Sequence, residues 1–289
     1  MEKIVSFFTT LSIIFSYLLG FSAPAVSEPA KITGKDTMIG ISALYAGQGI
    51  TADENYYYTS GSVFNQKSGI GLQFIAKWTA DGFKKVKVNY SPIPSANKKQ
   101  YGCGHIGGIS YYDGKIYAAV EGTDYSINFV YVYSADDLSL IETYNVSCNI
   151  LDDGIPWVAV DGENGLLYCS RWGDTDKLLK FNLSDMSPAG EVALSENISR
   201  IQGGEFYNGR LYLSKDNSHS TDESILCVDV KTGKVEPFFN LTMTNYDNES
   251  EDLTIYPRKD GSLFHVLNYD KLLGLNIMHY AVSDIEEQR

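Results

Sequence analysis

The sequence predicts an all-β fold: a β-propeller of five blades, each of four antiparallel strands, with the ring closed by an N-terminal strand. Three observations predict it. One hairpin pattern recurs five times along the chain. The 21 Tyr and 13 Phe suit sheets stacked face to face, where large rings fill a wedge-shaped gap. No window downstream of the N-terminal leader sustains a helical period.

Repeats decide an architecture, so they come first. The pattern is an apolar strand, a polar turn, then an apolar strand ending in an aromatic. It runs from Gly49-Ile50-Thr51 to Tyr56-Tyr57-Tyr58. It returns at Gly108-Ile109-Ser110-Tyr111-Tyr112-Asp113-Gly114-Lys115-Ile116-Tyr117. Further copies are Val158-Ala159-Val160-Asp161 to Asn164-Gly165-Leu166-Leu167-Tyr168, Phe206-Tyr207-Asn208-Gly209-Arg210-Leu211-Tyr212, and Leu253-Thr254-Ile255-Tyr256 to Asp260-Gly261-Ser262-Leu263-Phe264. Asp-Gly and Asn-Gly are hairpin signals because a type I′ turn needs positive φ at both central positions. The first copy lacks such a pair. Further strands follow at Phe129–Tyr133, Leu178–Phe181 and Ile225–Val230, the last turning through Lys231-Thr232-Gly233-Lys234. Four strands per unit is blade arithmetic. The stretch Thr37–Leu44 is expected to pair with the last blade and close the ring, since an open ring leaves two bare sheet edges.

The N-terminus reads as a secretory signal. Lys3 is the positive end, Ile4–Phe21 the apolar run, and Ala23-Pro24-Ala25 the small-residue cleavage site. Ser6, Thr9, Thr10, Ser12 and Ser16 weaken it as a membrane span. Residues 1–25 are expected to be removed, 26–36 to be a short lead-in, and 37–289 to be one propeller domain. The mature protein is then secreted and extracellular, with no membrane span. A net charge of −13 argues against a nucleic-acid partner. Four cysteines in an oxidising compartment suggest two disulfides; Cys103–Cys148 is favoured among the pairings of Cys103, Cys148, Cys169 and Cys227. Glycosylation sequons begin at Asn145, Asn182, Asn197, Asn240 and Asn248, as in a glycoprotein with these sites on exposed loops.

Two secreted five-bladed families share strings with this chain. Trp157-Val158-Ala159-Val160-Asp161, Gly165-Leu166-Leu167-Tyr168 and Phe181-Asn182-Leu183 resemble a run in olfactomedin domains. The resemblance implies a calcium ion in the central channel, held by Asp and Asn. The matching positions lie near Trp157, Gly204 and Thr254, which supply neither carboxylate nor amide oxygens, so the ion is not carried over. Gln48-Gly49-Ile50-Thr51 with Tyr58-Thr59-Ser60-Gly61 is similar to the opening blade of plant-type glutaminyl cyclotransferases. The acidic and tryptophan motifs of that family's later blades are missing, so its activity is not carried over.

Ligands of propellers sit at the channel mouth, near the start of each innermost strand. The candidate ligand-binding residues there are His105, Trp157, Arg171, Gln202, Glu251 and Asp252. His105, in the flexible Gly104-His105-Ile106-Gly107-Gly108, suits a general base or metal ligand with Glu121 or Glu251 beside it; it equally suits a hydrogen bond to a neighbouring blade. Arg171 suits an anionic ligand or an interblade ion pair. Trp157 suits a sugar ring or packing between sheets. No nucleophile elbow, phosphate loop, HExxH or EF-hand loop is present. The favoured reading is a non-enzymatic recognition propeller for an extracellular protein or glycan. The alternative is a metal-assisted hydrolase or lyase using His105 with Glu121, Glu251 or Asp252, for which calcium or zinc would be the cation.

Overall fold

A computed structural model of the chain describes residues 30–37, 45–63, 72–217, 223–241, 249–270 and 274–282. The expected signal segment and the Asn248 sequon lie outside them. The described residues form five four-stranded antiparallel sheets in a ring, so the propeller has five blades. Blade 1 is β2 (Tyr45–Ala52), β3 (Tyr56–Val63), β4 (Gln73–Thr79) and β5 (Lys85–Asn89). A short helix, α1 (Ser95–Tyr101), bridges to blade 2, a feature that the strand pattern did not signal. Blade 2 is β6 (His105–Tyr112), β7 (Lys115–Glu121), β8 (Asn128–Ser134) and β9 (Leu140–Asn145). Blade 3 is β10 (Ala159–Asp161), β11 (Leu166–Cys169), β12 (Thr175–Asn182) and β13 (Pro188–Ile198). Blade 4 is β14 (Ile201–Tyr207), β15 (Arg210–Lys215), β16 (Ser224–Asp229) and β17 (Lys234–Asn240). Blade 5 is β18 (Glu249–Ile255), β19 (Phe264–Asp270) and β20 (Gly274–Ala281), completed by β1 (Lys31–Thr37).

The turn chemistry acts as its residues dictate. Asp113-Gly114 and Asn208-Gly209 take positive φ at both positions, 47° and 73°, then 49° and 71°. The first hairpin, which has no such pair, is held instead by Asp53: its carboxylate accepts the Asn55 and Tyr56 amides at 2.7 Å each.

The core is divided into five apolar clusters, one in each gap between blades. Strand alternation feeds two gaps at once. On β7, Ile116, Ala118 and Val120 face blade 1, while Tyr117 and Ala119 face blade 3. On β8, Phe129, Tyr131 and Tyr133 face blade 1, while Val130 and Val132 face blade 3. Strands covered on both faces read as continuous apolar runs, which explains the strings seen in the sequence.

The closing strand is Lys31–Thr37, paired antiparallel with β20 from Lys31↔Ala281 to Thr37↔Asn276. Closure comes from the N-terminus as expected, but earlier than Thr37–Leu44; residues 38–44 lie outside the described set. A buried polar chain anchors β1. His265 Nε2 meets the Tyr256 carbonyl at 2.7 Å, so it carries the proton. His265 Nδ1 then accepts from His279 Nδ1 at 2.7 Å. Burial, with the His279 charge adding, pushes His265 down to about 3. His279 Nε2 faces Asp36 Oδ2 at 3.0 Å, and Arg258 Nη1 donates to the same oxygen at 2.9 Å.

The four cysteines are free, which corrects the disulfide expectation. Cys103 is buried in the gap between blades 1 and 2 beside Tyr131. Cys148 lies near Cys169, on the other side of blade 2, where Val146 and Leu151 pack with Cys169. Blade 2 therefore separates Cys103 from Cys148.

Asp36→Ala should lower the folding free energy by about 1.5–3 kcal/mol, because it strips charge-assisted bonds from the closing strand; urea denaturation measures it. The Asp36 carboxyl is pushed down to about 2, chiefly by its bond to His279. Its contribution is therefore present above the ordinary carboxylate pKa and is lost as pH falls through about 2.

Candidate functional site

The inner strands crowd the axis. A side chain at Gly49 would meet the Gly107 carbonyl at 2.7 Å, and one at Gly107 would meet the Pro156 carbonyl at 2.1 Å. At Gly203 it would meet Asp252 Oδ1 at 1.8 Å. Glycine is required at these positions because neighbouring blades approach backbone to backbone. The Gly108 amide donates to the Pro156 carbonyl at 2.8 Å, and Ser60 Oγ donates to the Gly107 carbonyl at 2.9 Å.

Asp252 fills the centre. Its Oδ2 accepts the Ile50 amide of blade 1 at 3.0 Å and the Ile109 amide of blade 2 at 2.9 Å. Its Oδ1 accepts the Leu253 amide at 2.8 Å, and the Gly204 amide of blade 4 also bonds the carboxylate. Glu205 lies close enough for the two charges to repel, with Thr51 Oγ1 3.4 Å from its Oε2. Burial pushes both carboxyls above the usual range. The amides pull Asp252 back, while Glu205 has only the distant Thr51 hydroxyl. The charge of the pair therefore resides on Asp252 and the proton on Glu205. Asp252, expected to bind ligand, is instead a fully buried tie between blades.

The inner strands also carry bulges. Register shifts fall at Gly47/Gly49, Ile106/Ile109, Ile201/Gly203 and Ser250/Leu253. An extra residue re-aims a side chain out of the pleat. Gln48, Gln202, Glu251 and Asp252 all sit within these irregular stretches. Gln48 Nε2 donates to Glu251 Oε1 at 2.8 Å, so Gln48 Oε1 faces His105 Nε2 at 2.6 Å and that nitrogen donates. His105 Nδ1 meets Glu121 Oε2 at 2.6 Å, and one proton lies between them. The result is a polar chain, Glu121–His105–Gln48–Glu251, running through blades 2, 1 and 5. Gln202 stands apart from it, with Nε2 3.5 Å from Glu249 Oε1.

His105 and Glu121 line a shallow depression with Thr123 and Tyr125. Tyr125 is exposed and has a φ of 60°, a left-handed backbone that an L residue adopts at a cost. No sequence pattern marked it; the Gly122-Thr123-Asp124 turn before it was the only available cue. Trp157 is wholly buried and donates from Nε1 to Ser170 Oγ at 3.1 Å, so its ring offers no face to a ligand. Arg171 is paired with Asp152 at 2.9 Å and Asp153 at 2.8 Å within blade 3. The sequence thus brings His105, Glu121 and Glu251 together and leaves Trp157, Arg171 and Gln202 outside the chain. Both ring nitrogens of His105 are engaged, which removes it as a ready metal ligand. Among the described residues no three His, Cys, Asp or Glu side chains converge as a metal site, and no helix is long and apolar enough to cross a membrane.

No family model matches the chain. No curated protein matches it either. Solved structures do match in fold. The β-xylosidase RS223 is 12% identical with a TM-score of 0.58, over 88% of this chain and 97% of its own. The GH43_1 enzyme from Xanthomonas citri, complexed with xylose, is 11% identical with a TM-score of 0.56, over 93% and 92%. The chain has the architecture of these propellers. At such identity the likeness concerns the fold and not the site.

On the rim between blades 4 and 5, burial pushes Glu223 up to about 8, with the Asp216 charge adding. Burial pushes Glu251 up as well. Such groups gain protons on folding. The stability they give is full below the ordinary value of 4.5 and is lost as pH rises through about 8 at Glu223. His265 opposes this trend only below its ordinary value of 6.5. The thermal midpoint should therefore fall between pH 6.5 and 8, and Glu223→Gln should flatten the decline. Calorimetry across that range checks it; a midpoint that rises with pH contradicts it.

Proposed function

We propose that this protein is a secreted recognition propeller that binds an extracellular protein or glycan at the channel mouth of blade 2. The observation that carries the reading is the depression itself. A polar chain ends there at His105 and Glu121, and a strained, exposed Tyr125 stands beside them. An aromatic face beside fixed polar groups is the chemistry of recognition. Both ring nitrogens of His105 and both ends of the Gln48 amide are bonded within the chain, which suits a rigid surface better than an acid–base cycle. Hydrolytic chemistry with a metal lacks support for the same reason, because neither His105 nitrogen is left to ligate.

The secretory leader supports the extracellular setting. So do the sequons: Asn145, Asn197 and Asn240 are exposed at or near the ends of β9, β13 and β17, the outermost strands of three blades. Glycans there would project from the outer wall, away from the mouth, and would shield bare sheet edges.

Glycan and extracellular-protein arrays probed with the wild type and with Tyr125→Ala and His105→Ala test the proposal. Hits should weaken about tenfold or more in each variant, about 1.4 kcal/mol. Tyr125→Ala should leave the thermal midpoint nearly unchanged, since it truncates an exposed side chain and keeps the same left-handed backbone. Hits that survive both substitutions would place the binding surface elsewhere and end this reading.

A further inference from the structure

We propose that the gap between blades 4 and 5 binds a divalent cation of the calcium class through Glu223, Ser250 and Asn268. This site is separate from the channel mouth and does not depend on its function. Strand alternation places the three residues together. On β19, Phe264 and Val266 face the gap to blade 4, where they pack with Tyr212, Ile225 and Phe239. Asn268 continues that alternation, so it faces the same gap. Ser250 is the direct cross-strand partner of Asn268, so its side chain lies on the same face. Glu223 enters from blade 4: its Oε2 accepts the Ser250 amide at 2.6 Å, and its charge is felt by Tyr280 in the same gap.

The unpaired atoms point to a ligand. Glu223 Oε1, Ser250 Oγ and Asn268 Oδ1 are buried and make no hydrogen bond of full geometry among the described residues, while the Ser250 hydroxyl and the Asp216 carboxyl lie against the Glu223 carboxyl. Glu223 is 0%, Ser250 1% and Asn268 4% exposed. A buried oxygen without a well-aligned partner is costly, more so on a charged group, and a cation among several such oxygens offsets that cost. All three are acceptors or can act as such. Oxygen donors without nitrogen or sulfur select a hard cation, and waters complete its shell. The Asp216 charge adjoins Glu223 and adds to the attraction. Glu223 is the one carboxylate among the three ligands, and the neighbouring Asp216 is already paired with Arg200, so the expected strength lies in the weak, extracellular range, with a Kd of about 10⁻⁴–10⁻³ M.

Calcium titration of the full chain by isothermal calorimetry, with thermal shift alongside, is the test. One calcium should bind. Glu223→Gln should weaken it about tenfold or more, whereas Asn268→Asp, which adds a charged oxygen of the same size, should tighten it. Absence of heat and of thermal shift up to about 10 mM calcium overturns the proposal. So does calcium binding that neither substitution alters. A shift that sodium or potassium reproduces equally overturns the divalent claim and leaves a monovalent ion or water in the gap. If Glu223→Gln fails to fold, Asn268→Asp decides the matter alone: no gain in affinity refutes the site.

Discussion

A single buried carboxylate holds the inner ends of this ring in place. Asp252 accepts amides from blades 1, 2 and 4 as well as its own Leu253 amide. The gaps between the blades are filled mainly by apolar side chains, whose packing is not directional. A carboxylate at the axis adds direction, since each amide must point at the same two oxygens. Such a charge is costly to bury unless it is fully bonded, so it demands donors from all around it. Those donors can reach it only where neighbouring backbones come close, which is why glycine occupies positions 49, 107 and 203.

The same crowding shapes the rim. An inner strand that runs straight into the axis would collide with its neighbours. The bulges at Gly47/Gly49, Ile201/Gly203 and Ser250/Leu253 relieve this and swing Gln48, Gln202 and Glu251 out of the pleat. Glu251 sits next to Asp252 in sequence, yet the two do opposite things: one ties the backbone, the other starts the polar chain to His105. Structure and site therefore share one short segment, and a change at the axis would be felt at the mouth.

The hairpins were legible because Asp-Gly and Asn-Gly encode a backbone geometry that few other pairs can adopt. The interblade cores were legible because strands buried on both faces leave long apolar runs. The bulges were not, since a one-residue insertion in a glycine-rich strand leaves no periodic signature. Glu251-Asp252 stood as a candidate ligand pair, and nothing local marks Asp252 as a buried tie; its donors come from residues some 140 and 200 positions away. Trp157 suited either a sugar ring or packing between sheets, and the structure shows the packing: it is wholly buried in the gap between blades 3 and 4. The Cys103–Cys148 pairing failed on topology: nearness in sequence around blade 2 places the two residues on opposite faces of it.

Hydrogen exchange read at single amides tests the axial tie most directly. In the wild type, Ile50 and Ile109 should exchange with the slowest, globally protected class, though they lie on different blades. In Asp252→Asn, whose amide group cannot accept from all the same donors, both should lose protection together, by about 10- to 100-fold or more. Protection at Ile50 and Ile109 that is already weak in the wild type, or that the substitution leaves intact, would contradict the account.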